Sequence, residues 1–205
     1  MEKDYLGGCL IEDNYPLFGK GDVGTWAPQV WDKLIEWYNP KTLIDVGCGA
    51  GHSLKYFLDR NIEGIGVEGY LPAIKASSVK NFIKVHDYVE GEFVPEKNYD
   101  LAWCCEFVEH VEEQHMKNFM KTFEYCNIVA MTHAVPGQPG YHHVNCQNPE
   151  YWIHVFDKIG FKFLEKESLE LRDILPTWEN DENGNPKYVP NGSHVKNSLM
   201  LFIKK

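Results

Sequence analysis

The sequence predicts an α/β fold, a mostly parallel sheet covered by helices on both faces. Two patterns predict it. Short runs dense in Val, Ile and Leu alternate with segments whose apolar residues recur at helical spacing, the arrangement expected of βαβ units. Glycines and acidic residues then recur just after the apolar runs, and in such sheets the residues beyond the carboxyl ends of the strands form the ligand site.

The elements follow in order. "APQVWDKLIEWYNP" carries Val30, Trp31, Leu34, Ile35 and Tyr38 on one helical face, and Pro40 stops it. "TLIDVGCGAG" reads as a buried strand running into a tight turn, and "HSLKYFLDRN" as a helix. "IEGIGVEGY" is a second strand, "LPAIKASSV" a short helix and "FIKVHD" a third strand. "YDLAWCCEF" is a fourth strand, nearly all apolar; after it, Met116, Phe119, Met120 and Phe123 repeat on one helix face. "NIVAMTHAV" is a fifth strand, and "PEYWIHVFDKIGF" a helix closed by Gly160. "KFLEKESLEL" and "NSLMLFIKK" read as two last strands. Between them runs a long polar stretch rich in Gly, Pro and Asn, of the kind that is usually functional or mobile, with Asn191-Gly192 as a hairpin turn signal.

The 205 residues suffice for one domain with a full core, and 43% hydrophobic and 14% aromatic content supports one. We read residues 1–41 as an N-terminal helical lid segment and 42–205 as the core of a single domain. The net charge of −10 and the lack of basic clusters disfavour a nucleic-acid partner. Six cysteines lie at scattered positions without C-x-x-C spacing, which predicts reduced thiols and a cytoplasmic location. The start "MEKDYLGGCL" lacks the pattern of a signal peptide, and no apolar run approaches the ~20 residues of a membrane span.

The residues after each strand define a nucleoside-shaped site. Gly47, Cys48, Gly49 and Gly51, preceded by Asp45, form a turn where a ligand can approach the backbone. The position where a dinucleotide fingerprint requires its last glycine is His52. Strand two ends at Glu68, where an acid can accept from ribose hydroxyls. Strand three ends in Asp87-Tyr88, where a carboxylate can accept from an adenine amino group.

With these residues in place, the sequence resembles the class I S-adenosylmethionine-dependent methyltransferases. The resemblance rests on "LIDVGCGAGHS", "GIGVEG", "VHDY" and "YDLAWCCEFVEHV", in that order, and extends from about Thr42 to the C-terminus. It implies a Rossmann-like, seven-stranded sheet whose last strand runs antiparallel beside strand five. It implies that Asp45 and the Gly47–Gly51 turn, with Cys48 and His52, hold the methionine part of the donor. Glu68 and Gly69 would bind the ribose, Tyr70 or Leu71 would pack on the adenine, Asp87 and Tyr88 would border it, and Glu106 and Phe107 would flank the sulfonium. Within the family the chain is similar to small-molecule and sugar-type members, whose fourth strand runs into E-x-x-E-H-V.

Glu106, Glu109 and His110 stand at i, i+3 and i+4, which share a face if a helical turn begins there. Two carboxylates and an imidazole suit a divalent ion such as Mg²⁺, Mn²⁺ or Zn²⁺. Small-RNA 3′-end methyltransferases and some ubiquinone-pathway O-methyltransferases carry E-x-x-E-H as a metal site, and the small-RNA enzymes add a histidine from beyond strand five. Here "THAVPGQPGYHHVNCQ" supplies His133, His142 and His143, with His143 the first choice and His142 the second. With metal, the acceptor is a vicinal diol such as a sugar or catechol, because adjacent hydroxyls can chelate the ion. Without it, Glu109 and His110 simply open a helix, and His110, His133 or His143 acts as general base toward a hydroxyl or amine. His110 and His143 are thus the expected catalytic residues.

Asp22, Thr25 and Trp26 are lid candidates against the simpler reading of a capped helix with a core tryptophan. Arg172 is a candidate clamp for an acidic acceptor group, and equally a surface ion pair. The expected activity is methyl transfer from S-adenosylmethionine, O-directed, to a small polar acceptor. The alternatives are a metal-independent enzyme using a histidine base, a non-catalytic S-adenosylmethionine-binding module, and a nicotinamide-dependent oxidoreductase, the last disfavoured by His52.

Overall fold

A computed structural model describes residues 23–175, 179–180, 186–187 and 192–205. The seven main strands are β1 Thr42–Val46, β2 Glu63–Glu68, β3 Ile83–Val85, β4 Tyr99–Cys104, β5 Cys126–Met131, β6 Phe161–Phe163 and β7 Met200–Lys204. They form one sheet in the order β3-β2-β1-β4-β5-β7-β6. The first five pair in parallel, and β7 runs antiparallel to both β5 and β6. The order reverses between β1 and β4, so their carboxyl ends flank the topological switch point, where ligands of open α/β sheets bind. The helices are α1 Pro28–Tyr38, α2 His52–Leu58, α3 Leu71–Ala76, α4 Met116–Phe123, α5 Pro149–Lys158, α6 Glu165–Asp173 and α7 Ser193–Ser198. No helix among the described residues is long and apolar enough to cross a membrane.

The period of two along the strands explains why both faces are covered. Leu43, Leu101, Trp103, Ile128, Ala130 and Leu201 point to one side, where they meet α1 and α2 through Trp31, Leu34, Leu54 and Phe57. Ile44, Val46, Ala102, Cys104, Val129, Met131, Met200 and Phe202 point to the other, where they meet α4 and α5 through Phe119, Phe123, Trp152 and Phe156. Phe156 and Phe202 stack with centroids 4.0 Å apart, which seats the antiparallel strand against α5.

The C-terminal third departs from the expected two strands. Only Phe161–Phe163 of "KFLEKESLEL" is extended; Glu165–Asp173 is helical. Leu164, Ser168 and Leu171 lie at helical spacing, Ser168 and Leu171 are buried, and Glu165 and Glu167 sit in the first turn, where the helix dipole favours acids. The Ser168 hydroxyl donates to the Leu164 carbonyl at 2.6 Å and accepts from the Leu201 N–H at 2.9 Å, tying α6 to β7. Likewise Asn197 and Ser198 close α7, and the last strand starts at Met200.

Of the N-terminal lid segment, the described part is a 3₁₀ turn at Val23–Thr25 and helix α1. Trp26 packs edge-on against Trp31 with centroids 5.0 Å apart, and Trp31 meets Trp103 at 5.7 Å, so the segment's tryptophan joins the core. Asp22 and the Asn191 position of the proposed hairpin turn lie outside the described residues; Gly192 precedes α7 with φ +61°.

Candidate functional site

The glycine turn after β1 is held by its neighbour strand. The N–H groups of Gly47 and Cys48 both donate to the Val67 carbonyl, at 2.9 and 3.3 Å. Gly47 has φ +70°, and a Cβ there would come within 2.3 Å of the Phe107 ring, so the turn and the residue after β4 close on each other. Gly49 differs: its φ is +53°, yet no heavy atom lies within 4 Å of where a Cβ would stand. Its backbone faces open space, as an approach path for a ligand requires. The Cys48 side chain is buried on Gly66, and His52 opens α2 as an exposed residue.

Acids line the bottom of this space. The Glu68 carboxylate accepts from the Gly49 N–H through Oε2 and from the Tyr70 N–H through Oε1, both at 2.7 Å. One side chain thereby fixes the glycine turn and the exit of β2 together, with Gly69 as a further backbone donor, and a carboxylate keeps acceptor capacity beyond these for a ligand hydroxyl. Burial pushes the Glu68 pKa up. Asp45 is 1% exposed; burial pushes its pKa to about 7, against the lowering effect of a hydrogen bond from the Ser53 hydroxyl. Beyond β3, Asp87 accepts from the Val89 N–H at 2.9 Å, and Gly69 lies so close to His86 that a Cβ would stand 3.1 Å from its carbonyl oxygen. Tyr88 departs from its expected place at the adenine edge. Its ring is buried against Phe107 and Phe119, and its hydroxyl meets that of Thr122 at 3.0 Å, so the side chain is spent in the core.

The segment after β4 brings together three of the four expected metal ligands. Ligand atoms of Glu109, His110 and His143 lie within 4.8 Å of one another. Glu109 is fully buried, and neither carboxylate oxygen has a hydrogen-bond partner. An unpaired buried carboxylate is costly; here burial, followed by the charge of Glu106, pushes its pKa up to about 8. Both imidazoles present Nδ1 to a backbone carbonyl, His110 to His142 at 3.3 Å and His143 to Gln138 at 3.2 Å. With the proton on Nδ1, Nε2 carries a lone pair, as a metal ligand must. Burial and the nearby His143 hold the His110 pKa down, at about 4, so the ring is neutral.

Loop geometry brings the imidazole of His143 to Glu109 and His110 and leaves that of His142 exposed. The N–H groups of Val144 and Asn145 both donate to the Glu109 carbonyl, at 2.9 and 3.0 Å, strapping the loop after β5 to the turn after β4. Gly140 packs against the imidazole of His143, where a Cβ would come within 2.1 Å of Nε2. His142 contributes its carbonyl from a left-handed backbone (φ 50°), and its side chain is exposed.

Glu106, the fourth expected ligand, neighbours the Glu109 carboxylate but lies outside the three-residue cluster. Val108–His110 forms a 3₁₀ turn, and Glu106 precedes it with φ 51°. The i, i+3, i+4 face requires a helix running through all three positions, and the helix does not include Glu106. Its Oε1 accepts from the Thr132 hydroxyl at 2.9 Å, and its Oε2 lies 3.2 Å from Nδ1 of His194. A bulky residue in left-handed conformation at the edge of a strand is a form of strain that clusters at functional sites. His194 is a site-edge residue that the sequence reading missed: it reaches Glu106 from α7, and nothing in local spacing marks it. Gly24, in the N-terminal 3₁₀ turn, packs so tightly on this ring that a Cβ would meet Cδ2 at 2.5 Å.

The remaining candidates have structural surroundings. His133 is 2% exposed, its Nδ1 meets the Ala134 carbonyl at 3.4 Å, and burial lowers its pKa. Arg172 lies in α6 and donates through Nε to the Leu199 carbonyl at 2.7 Å.

A sequence profile described as "Methyltransferase domain" matches residues 27–166. No curated protein matches the sequence significantly. Among solved structures, the fold is similar to the sugar N-methyltransferase KedS8 from Streptoalloteichus sp. (TM-score 0.61, 12% identity, covering 97% of this chain and 95% of that one). It is similar to a SAM-dependent methyltransferase from Archaeoglobus fulgidus (TM-score 0.60, 16% identity, covering 94% and 100%). It is also similar to the methyltransferase domain of bacterial CtHen1 (TM-score 0.58, 16% identity, covering 89% and 99%). At these identities the likeness concerns the fold.

Proposed function

We propose a function from one premise: the chain belongs to the methyltransferase domain family and is an S-adenosylmethionine-dependent methyltransferase. On our reading it methylates a hydroxyl of a small vicinal diol with the help of a divalent ion held by Glu109, His110 and His143. The observation that carries the metal is Glu109. A fully buried carboxylate with two unpartnered oxygens, facing two imidazoles whose Nδ1 atoms are already engaged, has the donor set of a divalent cation. Three protein ligands leave positions for the acceptor. When bound, such an ion lowers the pKa of a coordinated hydroxyl near neutral pH.

The chain's own residues do the rest. The open backbone at Gly49 and the lone pairs left on Glu68 receive the donor, with Glu68 accepting from the ribose and Asp87 from the adenine amino group. Asp45 and the turn through Cys48, Gly51 and His52 border the methionine part, and Gly69 and Tyr70 border the ribose and adenine. Phe107, packed over Gly47, covers the side toward the transferred methyl. Glu106, fixed by Thr132, stands beside it. Methyl transfer from a sulfonium is an in-line displacement from an activated donor, so alignment and removal of one proton are what the protein must supply. Burial keeps His110 neutral and so able to ligate. The described cysteines are unpaired, which suits a reducing, cytoplasmic setting.

The test is calorimetric titration of tag-free, chelator-treated protein with Mn²⁺ and, separately, with S-adenosylhomocysteine. We expect both to bind, and the E109Q protein to lose Mn²⁺ while keeping S-adenosylhomocysteine. No Mn²⁺ binding by the wild type removes the metal, leaving a histidine base as the source of activation, and equal binding by both proteins removes it from this site. Absence of S-adenosylhomocysteine binding removes the donor assignment.

A further inference from the structure

We infer that His194 is a positioning residue for methyl transfer: seated against Gly24, it holds the Glu106 carboxylate on the sulfonium side of the donor, and through it the N-terminal segment acts on the site. The inference rests on the donor placement proposed above and adds to it a residue and the contact that seats it.

Glu106 is a residue that needs holding. The chain leaves β4 there, and a φ of 51° puts a long side chain in the left-handed region, where a Cβ crowds the following carbonyl. The next residue, Phe107, lies over Gly47, so Glu106 borders the turn that receives the donor. The Thr132 hydroxyl accepts from the Glu106 N–H at 2.8 Å and donates to Oε1 at 2.9 Å. These two bonds fix the backbone and one carboxylate oxygen. The other oxygen, Oε2, faces His194, whose Nδ1 stands 3.2 Å away. A carboxylate offers acceptors alone, so Nδ1 carries the proton in this contact. One bond fixes an oxygen; two fix the plane of the carboxylate.

The element that carries His194 is itself anchored. Val195 is fully buried, and Lys196 Nζ donates to the Leu175 carbonyl at 2.6 Å. The Ser198 hydroxyl donates to the His194 carbonyl at 3.2 Å and accepts from the His133 N–H at 3.3 Å. His133 follows Thr132, so the stretch after β5 holds Glu106 directly and α7 from behind. The imidazole also meets the N-terminal 3₁₀ turn. A Cβ on Gly24 would stand 2.5 Å from its Cδ2 and 2.7 Å from its Nε2. Gly24 is not among the glycines with positive φ, so its backbone does not call for glycine; the space taken by the ring does. Trp26, two residues on, is packed on Trp31 and Tyr56. The segment therefore touches the site through Gly24 and the ring, with its tryptophan spent in the core.

A carboxylate held at this place discriminates by charge. S-adenosylmethionine carries a positive sulfonium, S-adenosylhomocysteine a neutral thioether, and the two share the rest of their structure. A negative group fixed on that side favours the first over the second, and the preference fades once the group is free to turn toward water. A general loosening of the fold weakens both ligands alike. The ratio of the two affinities thus separates positioning from mere support.

The experiment is calorimetric titration of chelator-treated protein with S-adenosylmethionine and with S-adenosylhomocysteine, in the absence of an acceptor. His194→Ala should lower the preference for S-adenosylmethionine by roughly fivefold to tenfold, the scale of one hydrogen bond to a charged group, with S-adenosylhomocysteine affinity unchanged. His194→Asn should keep the wild-type ratio, because its side-chain amide nitrogen stands near the place of Nδ1 and can donate to Oε2. Gly24→Ala drives a methyl into the ring and should lower the ratio as His194→Ala does. The double variant G24A/H194A should match H194A alone, since nothing is left to collide. In the E106Q protein, which lacks the charge, His194→Ala should change the ratio no further. An unchanged ratio in H194A, a parallel loss of both ligands, a ratio in H194N as low as in H194A, or additive effects of the Gly24 and His194 substitutions overturns the inference. Failure of the wild-type protein to bind S-adenosylhomocysteine strikes the donor assignment instead, so the two failures are distinct.

Discussion

The Glu109→Gln substitution should make the metal-free protein more stable, and the gain should grow with pH. Burial, with the neighbouring charge of Glu106, raises the Glu109 pKa from 4.5 to about 8. A carboxyl whose folded pKa is raised contributes stability that is whole below its unfolded pKa and is lost as pH rises through the folded one. Below pH 4.5 both states are protonated and the substitution is nearly neutral. At pH 7 the unfolded chain is ionised and the folded one is not, which costs the wild type about 3 kcal/mol at 1.36 kcal/mol per pH unit; at pH 9 the cost approaches about 5 kcal/mol. Glutamine has nearly the shape of the protonated acid, so the burial of a neutral polar group cancels in the comparison. Urea unfolding with chelator at pH 4, 7 and 9 measures the difference as a shift in midpoint at constant slope. Added Mn²⁺ should then close most of the gap at pH 7 at a hundredfold excess over its Kd, where it stabilises the native wild type by about 2.7 kcal/mol, and reverse the order at a thousandfold excess, where the gain is about 4.1 kcal/mol, while stabilising the variant by little. A variant that is less stable than wild type at pH 7 with chelator, or whose advantage shrinks toward pH 9, refutes the reasoning.

Other substitutions separate the parts of the site. Gly140→Ala places a Cβ against the His143 ring; Mn²⁺ affinity by calorimetry should fall by roughly tenfold or more, as expected when a ligand's orientation is lost, while the urea midpoint with chelator moves little. Gly47→Ala combines a φ of +70° with a collision against Phe107, and should cost about 2–4 kcal/mol in unfolding free energy from left-handed strain plus overpacking, with S-adenosylhomocysteine binding weakened alongside. Phe202→Ala removes the stacked partner of Phe156 from a fully buried position, and thermal and urea unfolding should report a loss of about 3–5 kcal/mol without a specific effect on either ligand.

The sheet was legible because its cause is local. Five apolar runs, four of them followed by a helix, leave few topologies open, and the acids and glycines that follow them fall at the strand ends by construction. The error in the C-terminal third was equally physical. Leu164, Ser168 and Leu171 carry a helical period, but they follow directly on the true strand Phe161–Phe163, and a buried serine breaks the apolar pattern that would have announced the helix. Glu109, His110 and His143 were readable from residue type and order. Their separation from Glu106 was not, because it turns on a single left-handed residue, and sequence spacing carries no sign for φ. Tyr88 was misplaced for a related reason: one step past a short strand, the side chain alternates back into the core.

Glu109 serves two purposes, and this explains why its cluster sits where it does. Its carbonyl receives the N–H groups of both Val144 and Asn145, so the backbone that bears the carboxylate also anchors the loop bearing His143. The backbone that carries the carboxylate and the backbone that carries His143 are thereby held together. That rigidity has a consequence for the metal-free protein. Buried beside the charge of Glu106, the carboxylate takes up a proton and its pKa rises. On the proposed reading the energy held in that unpaired carboxylate is what a cation recovers on binding, with release of the proton. The same strap holds the segment bearing His143 in place before any cation arrives, so the ordering of the ligand set is complete before binding.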